Sequence, residues 1–260
     1  MNILEQLAAH AVERVKEAKR RSSLAEVKRL ALARSVGDFP FEKALRKPAM
    51  SFICECKKAS PSKGVIAADF PYLAIARDYE AAGADAISIL TEPKWFMGSG
   101  EYLREIAAAV AVPCLRKDFV VDEYMIYEAK NLGASAVLLI CSLLSFAALK
   151  DYIAVANALG LSALVEAHDE NEVEAALRAG ARIIGVNNRN LKDFSVDTDN
   201  SCRLREKVSR DILFVAESGI NSAEDIRKLR EKGVDGVLIG ETLMRAADKK
   251  AKLSELRGMA

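Results

Sequence analysis

The sequence predicts an α/β fold in which eight parallel strands close into a (β/α)8 barrel behind an N-terminal helical extension. Eight short apolar runs begin at intervals of roughly 20 to 35 residues, the span of one β-α unit. Helical patterns lie between them, and a polar residue or a glycine ends nearly every run. An open doubly wound sheet is the alternative, but it would gather those polar residues at one crevice. The first run is also not followed by the Gly-x-Gly-x-x-Gly turn of that fold.

The first part of the chain, residues 1–47, falls outside the repeat. Two amphipathic patterns, at residues 4–15 and 24–31, predict two helices followed by a loop through Gly37–Pro40. Two placements remain open for this extension, a plug at the bottom of the barrel or a lid over its mouth. We expect residues 1–260 to form a single domain.

The barrel strands are predicted from runs that are apolar on both faces. Helical spacing recurs between them, as at residues 72–79, and several helices end on a glycine, such as Gly83, that leads into the next strand. Strands of this kind that are joined by helices pair in parallel. The predicted strands are Ser51–Cys56, Ala86–Leu90, Pro113–Arg116, Ala136–Ile140, Ala163–Val165, Ile183–Val186, Leu213–Ala216 and Gly236–Ile239.

The composition excludes several classes of function. The 38 basic and 37 acidic residues give a net charge of +1, which argues against nucleic-acid and membrane-surface partners. Five scattered cysteines predict reduced thiols in a cytoplasmic protein, and the two histidines argue against a metal centre. No apolar run approaches the ~20 residues of a membrane span.

The end of the first strand carries an unusual charged pair. Residues two apart face the same side of a strand, so Glu55 and Lys57 share one face while Cys54 and Cys56 share the other. A Ser-Pro-Ser turn that begins at Ser60 follows. These features predict a site at the barrel mouth, although a structural ion pair in the barrel interior is the alternative.

Polar residues at the other strand ends are expected to meet this pair, because active sites of such barrels lie at the carboxyl ends of the strands. Each has a simple explanation alone, such as a solvated end for Lys117, a helix cap for Glu166 and a plain turn at Asn187. Together they predict a mouth that holds general acids and bases. In such a site we expect the pKa values of lysines to be lowered, and carboxylates either to have raised pKa values or to pair with the lysines. The residues collected in this way are Glu55, Lys57, Ser60, Lys117, Glu166, Asn187, Arg189, Glu217, Ser218 and Gly240.

Glycines and aromatic residues suggest what this mouth binds. Gly219 and Gly240 stand between the last two strands and their helices, where backbone N–H groups often bind phosphate. Glu241 should then point away from the anion. Phe96 and Phe119 follow the second and third strands, where they either wall an aromatic substrate or simply pack.

These motifs resemble those of the indole-3-glycerol-phosphate synthase family, in the same order and over residues from about 50 to 245. The resemblance implies a TIM barrel that closes the indole ring in tryptophan biosynthesis without a cofactor or metal. The substrate would be 1-(2-carboxyphenylamino)-1-deoxyribulose 5-phosphate, and the products indole-3-glycerol phosphate, carbon dioxide and water. The matching motifs are Glu55–Ser62, Thr91–Ser99, Leu115–Phe119, Leu164–Glu166, Gly185–Leu191, Ala216–Ile220 and Ile239–Glu241.

The resemblance also implies roles for single residues. Lys117 matches the principal general acid, and Glu166 matches a residue that acts as a base or stabilises positive charge. Lys57 matches a lysine that binds the substrate carboxylate, while Glu55 and Asn187 match residues that hold the lysines and the substrate hydroxyls. The residues that match or are expected to line the substrate pocket are Ser60, Phe96, Phe119, Arg189, Glu217, Ser218, Gly219 and Gly240.

Two other functions remain in view. A phosphosugar isomerase would need a cysteine and an aspartate at strand ends, and strand parity turns Cys54 and Cys56 away from the mouth. A barrel that only binds ligands would keep a phosphate site and lose its acids and bases, yet Lys57, Lys117 and Glu166 are present. We expect a monomer that acts on a small molecule.

Overall fold

The computed structural model describes residues 2–190 and 194–258, and it contains a closed barrel of eight parallel strands. Each strand pairs with the next in sequence, and the eighth pairs with the first from Ser51 opposite Gly236 onwards. The prediction of a closed (β/α)8 barrel is therefore confirmed. The strands are β1 (Ser51–Cys56), β2 (Ala86–Leu90), β3 (Cys114–Lys117), β4 (Ala136–Ile140), β5 (Ser162–Ala167), β6 (Ile183–Asn187), β7 (Leu213–Glu217) and β8 (Gly236–Ile239).

Helices surround the barrel and extend it at the N-terminus. They are α1 (Ile3–Arg21), α2 (Leu24–Leu32), α3 (Pro40–Leu45), α4 (Tyr72–Ala81), α5 (Gly100–Ala109), α6 (Glu123–Asn131), α7 (Phe146–Ala158), α8 (Glu170–Ala179), α9 (Asp199–Arg205), α10 (Ala223–Glu231), α11 (Glu241–Arg245) and α12 (Lys249–Leu256). None of these helices has both the length and the apolar character needed to cross a membrane.

Four strands reach further toward the mouth than their apolar runs predict. β3, β6 and β7 each end on a polar residue, and β5 continues through Glu166. The ladder includes these positions, since Lys117 pairs with Leu90 and Asn187 pairs with Glu217. Backbone pairing does not depend on side-chain polarity, so the polar side chains are carried by strands and not by loops.

Side chains of alternate strand residues divide the core into two parts. Ile53, Leu115 and Leu164 are fully buried inside the barrel, where the strands enclose them. Cys54 and Cys56 instead pack between the barrel and its helices. Strand parity therefore holds along β1, and both thiols lie on the side opposite Glu55.

The extension occupies both ends of the barrel, so each proposed placement is right for a different helix. α1 lies at the mouth, where Ile3 and Leu7 line the cavity and Arg14 bonds to Asp118 just beyond β3. α3 closes the bottom, where Phe41 is fully buried and the Oγ of Ser51, the first residue of β1, donates to the carbonyl of Ala44.

The predicted loop through Gly37–Pro40 runs directly into α3, which the sequence patterns did not reveal. This helix has six residues and begins at Pro40, a residue that suits the first helical position because its missing N–H is not needed there. A segment this short contains fewer than two helical turns, so it gives no apolar periodicity from which a helix could be predicted.

Candidate active site

A cavity of about 730 Å³ opens at the carboxyl ends of the strands, and all of the predicted site residues line it. β1, β3, β5, β6 and β7 supply the charged and amide side chains, while the turns beyond β7 and β8 supply Ser218, Gly219 and Gly240. The thirteen residues are Glu55, Lys57, Ser60, Phe96, Lys117, Phe119, Glu166, Asn187, Arg189, Glu217, Ser218, Gly219 and Gly240.

Lys117 occupies the centre of the charged wall of this cavity. Its Nζ lies 3.3 Å from Oε2 of Glu166 and 3.4 Å from Oε2 of Glu217. Both carboxylates are 2 % exposed, so the three charged groups interact in a medium that screens them little. Asn187 holds the other oxygen of Glu166, because its Nδ2 donates to Oε1 over 3.3 Å.

The pKa values in this group differ from the expected pattern. Burial alone would lower the pKa of Lys117, but the carboxylates of Glu217, Glu166 and Glu55 outweigh burial and raise it. The expectation of a lowered pKa is therefore wrong for Lys117, and the ammonium form is strongly favoured. The predicted rise applies to Glu217, where burial, opposed by Lys117 and assisted by Glu166, raises the pKa to about 7.

Glu166 differs from Glu217 although both are buried beside Lys117. Burial would raise the pKa of Glu166, but Lys117 and then His168 lower it, and they prevail. The two carboxylates thus differ in proton affinity. Near neutral pH, Glu166 is ionised and Glu217 is partly protonated.

Glu55 and Lys57 form an ion pair of 2.6 Å at the edge of the same cavity. Gly240 lies against this pair, and a side chain on Gly240 would collide with both the carboxylate of Glu55 and the ammonium of Lys57. Gly185 makes the same kind of room for Glu217, because a Cβ there would collide with Oε1 of Glu217. The role of Gly185 in the site requires the tertiary contact and was not predicted.

The aromatic side chains form one wall of the cavity. The rings of Phe96 and Phe119 lie with their centroids 5.9 Å apart. Each is held by a buried carboxylate beneath its loop: Glu92 accepts the backbone N–H of Phe96, and Asp118 accepts that of Phe119. These two carboxylates position the wall, and sequence reasoning did not single them out.

The turn after β7 adopts a left-handed backbone at two consecutive residues. Ser218 and Gly219 have φ values of 66° and 79°, and a Cβ on Gly219 would press against Val196 and Thr198. Glu241 turns toward Arg245, with 3.0 Å between Oε1 and Nε.

Two side chains cap the first turn of α10. Ser222 and Asp225 cap this helix reciprocally, and Asp225 also accepts the backbone N–H of Asn221. These caps engage the backbone N–H groups of Asn221, Ser222 and Asp225.

Arg189 stands where β6 continues into its loop. Its backbone N–H donates to Oδ1 of Asn187, and its Nη1 donates to the carbonyl of Phe194. The matching motif continues to Leu191, which lies outside the described residues.

Comparison with known proteins identifies the family of this chain and supports its fold. The family model described as indole-3-glycerol phosphate synthase matches residues 4–256. The chain belongs to the indole-3-glycerol phosphate synthase family. A protein of Ruminiclostridium cellulolyticum named indole-3-glycerol phosphate synthase is 57% identical over 259 residues, which are 99% of this chain and 100% of that protein.

A second relative supports the family, and a solved structure supports the fold. The indole-3-glycerol phosphate synthase of Endomicrobium trichonymphae is 52% identical over 98% of this chain and 99% of its own length. A solved 3-hexulose-6-phosphate synthase is similar in fold, with a TM-score of 0.66 over 81% of this chain and 99% of that chain. At 16% identity, that structure supports the barrel fold alone.

Proposed function

We propose that this chain closes the indole ring of 1-(2-carboxyphenylamino)-1-deoxyribulose 5-phosphate, releasing carbon dioxide and water to give indole-3-glycerol phosphate in tryptophan biosynthesis. The observation that carries the proposal is the position of Lys117, a partly buried ammonium between Glu166 and Glu217 in a cavity that also contains an aromatic wall. Membership of the indole-3-glycerol phosphate synthase family agrees with this chemistry.

The cavity offers a separate surface to each part of this substrate. The ring with its carboxylate faces Phe96 and Phe119, with Lys57 as the cation for the carboxylate. The phosphate lies by the turns at Gly219 and Gly240. Lys63 and Arg245 line the same cavity and add positive charge there.

Lys117 is the general acid of the first step. The aromatic carbon that bears the carboxylate attacks the substrate carbonyl, and the carbonyl oxygen takes a proton from Nζ as it becomes a hydroxyl. The raised pKa keeps the lysine protonated before the step. An alkoxide is a stronger base than an amine, so the proton transfer becomes favourable as the new carbon–carbon bond forms.

Loss of carbon dioxide and water completes the reaction. The bond to the carboxylate breaks and its electrons return to the ring, so carbon dioxide leaves. The hydroxyl then departs as water with a proton from a second acid, a role that suits Lys57 beside Glu55. Glu166 is the base that takes the last proton as the indole becomes aromatic, and its lowered pKa keeps it ionised for that task.

The competing functions fit the cavity less well. Cys54 and Cys56 face away from the mouth, so they cannot serve the acid–base pair that an isomerase would need. A barrel that only binds ligands has no use for two buried carboxylates paired with a partly buried lysine, because their desolvation is costly unless chemistry requires them.

A product assay tests the proposal. Purified protein is mixed with the carboxyanilino substrate, and indole fluorescence is followed for wild type, Lys117→Ala and Lys150→Ala. Wild type and the exposed control Lys150→Ala should form product at equal rates. Lys117→Ala should lose at least ~1,000-fold in kcat while substrate binding changes less than about tenfold, because the ammonium acts in the transition state.

Two results would count against the assignment. Binding without product in wild type would favour a binding module. Turnover of Lys117→Ala within tenfold of wild type would remove Lys117 from the acid role. The monomeric state, the cytoplasmic location and the absence of any cofactor, metal or nucleic-acid partner stay predictions.

A further inference from the structure

His168 stands directly behind Glu166, two residues further along the chain. Asp169 caps α8, and the His168 side chain is only 21% exposed. Its Nε2 lies 3.5 Å from Oε1 of Glu166. His168 is not among the residues that line the cavity, so it acts on the substrate only through Glu166.

The proton on the other ring nitrogen is set by Glu172 of α8. Oε2 of Glu172 lies 3.0 Å from Nδ1 of His168 and also accepts the backbone N–H of His168 over 2.8 Å. A carboxylate accepts and does not donate, so Nδ1 carries a hydrogen. Glu172 therefore fixes both the position of the ring and the state of the nitrogen farther from Glu166.

The state of Nε2 follows from its surroundings. This nitrogen is buried and has no hydrogen-bond partner within 2–190 and 194–258. In a neutral ring with hydrogen on Nδ1, Nε2 would turn a lone pair toward the ionised Glu166, and the two would repel. A proton on Nε2 turns that repulsion into attraction between opposite charges.

We propose that His168 is a positioning residue: protonated on both nitrogens, it faces Oε1 of Glu166 with Nε2–H and keeps that carboxylate ionised while Lys117 gives its proton away. The inference rests on the proposed function, in which Glu166 acts after Lys117. When Lys117 becomes neutral, Glu166 loses its nearest positive charge. His168 is then the cation that remains beside it, so the base is still ionised when its turn comes.

Groups on several elements face this pair. Lys117 on β3 acts on Glu166, Glu217 on β7 acts on His168, and Asn187 on β6 donates to Oε1 of Glu166. Asn200 of α9 donates to the backbone carbonyl of His168. The Sγ of Cys141 donates to the backbone carbonyl of Glu172. Burial would lower the pKa of His168, but the bond to Glu172 and the charge of Glu166 raise it, which agrees with a doubly protonated ring.

The chain offers a direct measurement, because His168 and His10 are its two histidines. Side-chain NMR of the full chain labelled on histidine gives two titrations, and the signal lost in His168→Gln assigns them. His168 should titrate above pH 6.5 in wild type. In Glu166→Gln the midpoint of His168 should fall by about one pH unit.

Kinetic measurements separate the effect of the positive charge of His168 from the effect of its shape. His168→Gln keeps a donor near Glu166 but removes the positive charge, so the pKa of Glu166 rises. The acid-side fall of kcat should move up by about one pH unit, so kcat below that midpoint should drop by up to about tenfold, while kcat at neutral pH and KM should change less than threefold. Glu172→Gln keeps an acceptor for Nδ1 and removes a negative charge, so it should lower the midpoint of His168 with the ring in place.

Wild-type turnover alone tests the proposed function, whereas the variants of His168, Glu166 and Glu172 test the role of His168. If the titration midpoint of His168 were the same in Glu166→Gln as in wild type, the inference would be overturned even if the wild-type enzyme is active. An unchanged kcat profile in folded His168→Gln would also overturn it. If His168→Gln does not fold, the midpoints in Glu166→Gln and Glu172→Gln still decide, and no movement in either refutes the pairing.

Discussion

At the scale of single residues, the site depends on which charges share a buried space. The residue types and strand positions of Lys117, Glu166 and Glu217 follow from the sequence, but their proton affinities do not. We expected burial to lower the pKa of a lysine at the mouth. Two carboxylates within 3.4 Å of Nζ reverse the direction for Lys117, because each opposite charge favours the ammonium form.

Glu217 should destabilise the fold as pH rises, and this can be measured. Its pKa is about 7 in the folded chain and near 4.5 when unfolded, so between these values the folded state binds more protons. Stability therefore falls as pH rises from 4.5 through 7, by an amount on the order of 2 kcal/mol. Glu217→Gln should match wild type in free energy of unfolding at pH 4 and exceed it at pH 8.

Denaturant titrations at the two pH values supply the test, with Glu174→Gln as the control. Glu174 is a 70% exposed residue of α8 whose ion pair with Arg178 measures 4.0 Å. The control should show no such gain. If Glu217→Gln were equally destabilising at both pH values, the raised pKa of Glu217 would be wrong.

At the scale of elements, α1 is joined to the loops that carry the aromatic wall. Nη2 and Nη1 of Arg14 donate to the two oxygens of Asp118 over 2.7 and 3.1 Å. Nδ1 of His10 lies 3.0 Å from Oε1 of Glu92, the carboxylate beneath Phe96. The helix over the mouth and the ring-bearing loops therefore share their charged contacts.

Removing this contact should affect both stability and substrate binding. In Arg14→Ala, the fully buried Asp118 loses the partner that does most to hold its pKa down at about 2. We expect a loss of about 3 kcal/mol in the free energy of unfolding. KM should rise several-fold, because α1 also carries Leu7 into the cavity.

The matched control lies on the same helix. Arg20 is 78% exposed and pairs with Glu17, so Arg20→Ala should change stability by less than about 0.5 kcal/mol and leave KM unchanged. Thermal melts and steady-state kinetics distinguish the two variants. Equal behaviour of Arg14→Ala and Arg20→Ala would show that α1 is not fastened through Asp118.

At the scale of the whole molecule, one interior runs from the plug at the bottom to the cavity at the top. Phe41 of α3 and Phe119 at the mouth belong to the same continuous apolar cluster, which passes through the barrel. The extension therefore contributes to both ends of the core. We expect the barrel and its N-terminal helices to unfold together.

Phe41→Ala tests whether the barrel and its N-terminal helices unfold together, because Phe41 lies at the end of the barrel opposite the active site. It should cost about 3 to 5 kcal/mol, because it leaves a cavity under the barrel. Far-UV circular dichroism follows the whole fold, and the fluorescence of Trp95, the one tryptophan, follows the mouth. The two transitions should coincide in wild type and shift together in the variant.

The same substitution at Phe146, which is 44% exposed on α7, should cost less than about 1 kcal/mol. A mouth signal that kept its midpoint while the dichroism transition moved would show that the two ends unfold separately.

The sequence by itself determined the barrel and the residues of its mouth. Strand periodicity and helix-ending glycines depend on local backbone preferences, and parity along β1 separates Glu55 from Cys54. The matching motifs also specify the family.

Only the tertiary structure decided which groups meet and in what charge state. The pairing of Lys117 with Glu217 and the placement of α1 and α3 at opposite ends of the barrel both bring together residues that are distant in the chain. Pairwise electrostatic energies vary with distance and burial, which no local pattern in the chain records.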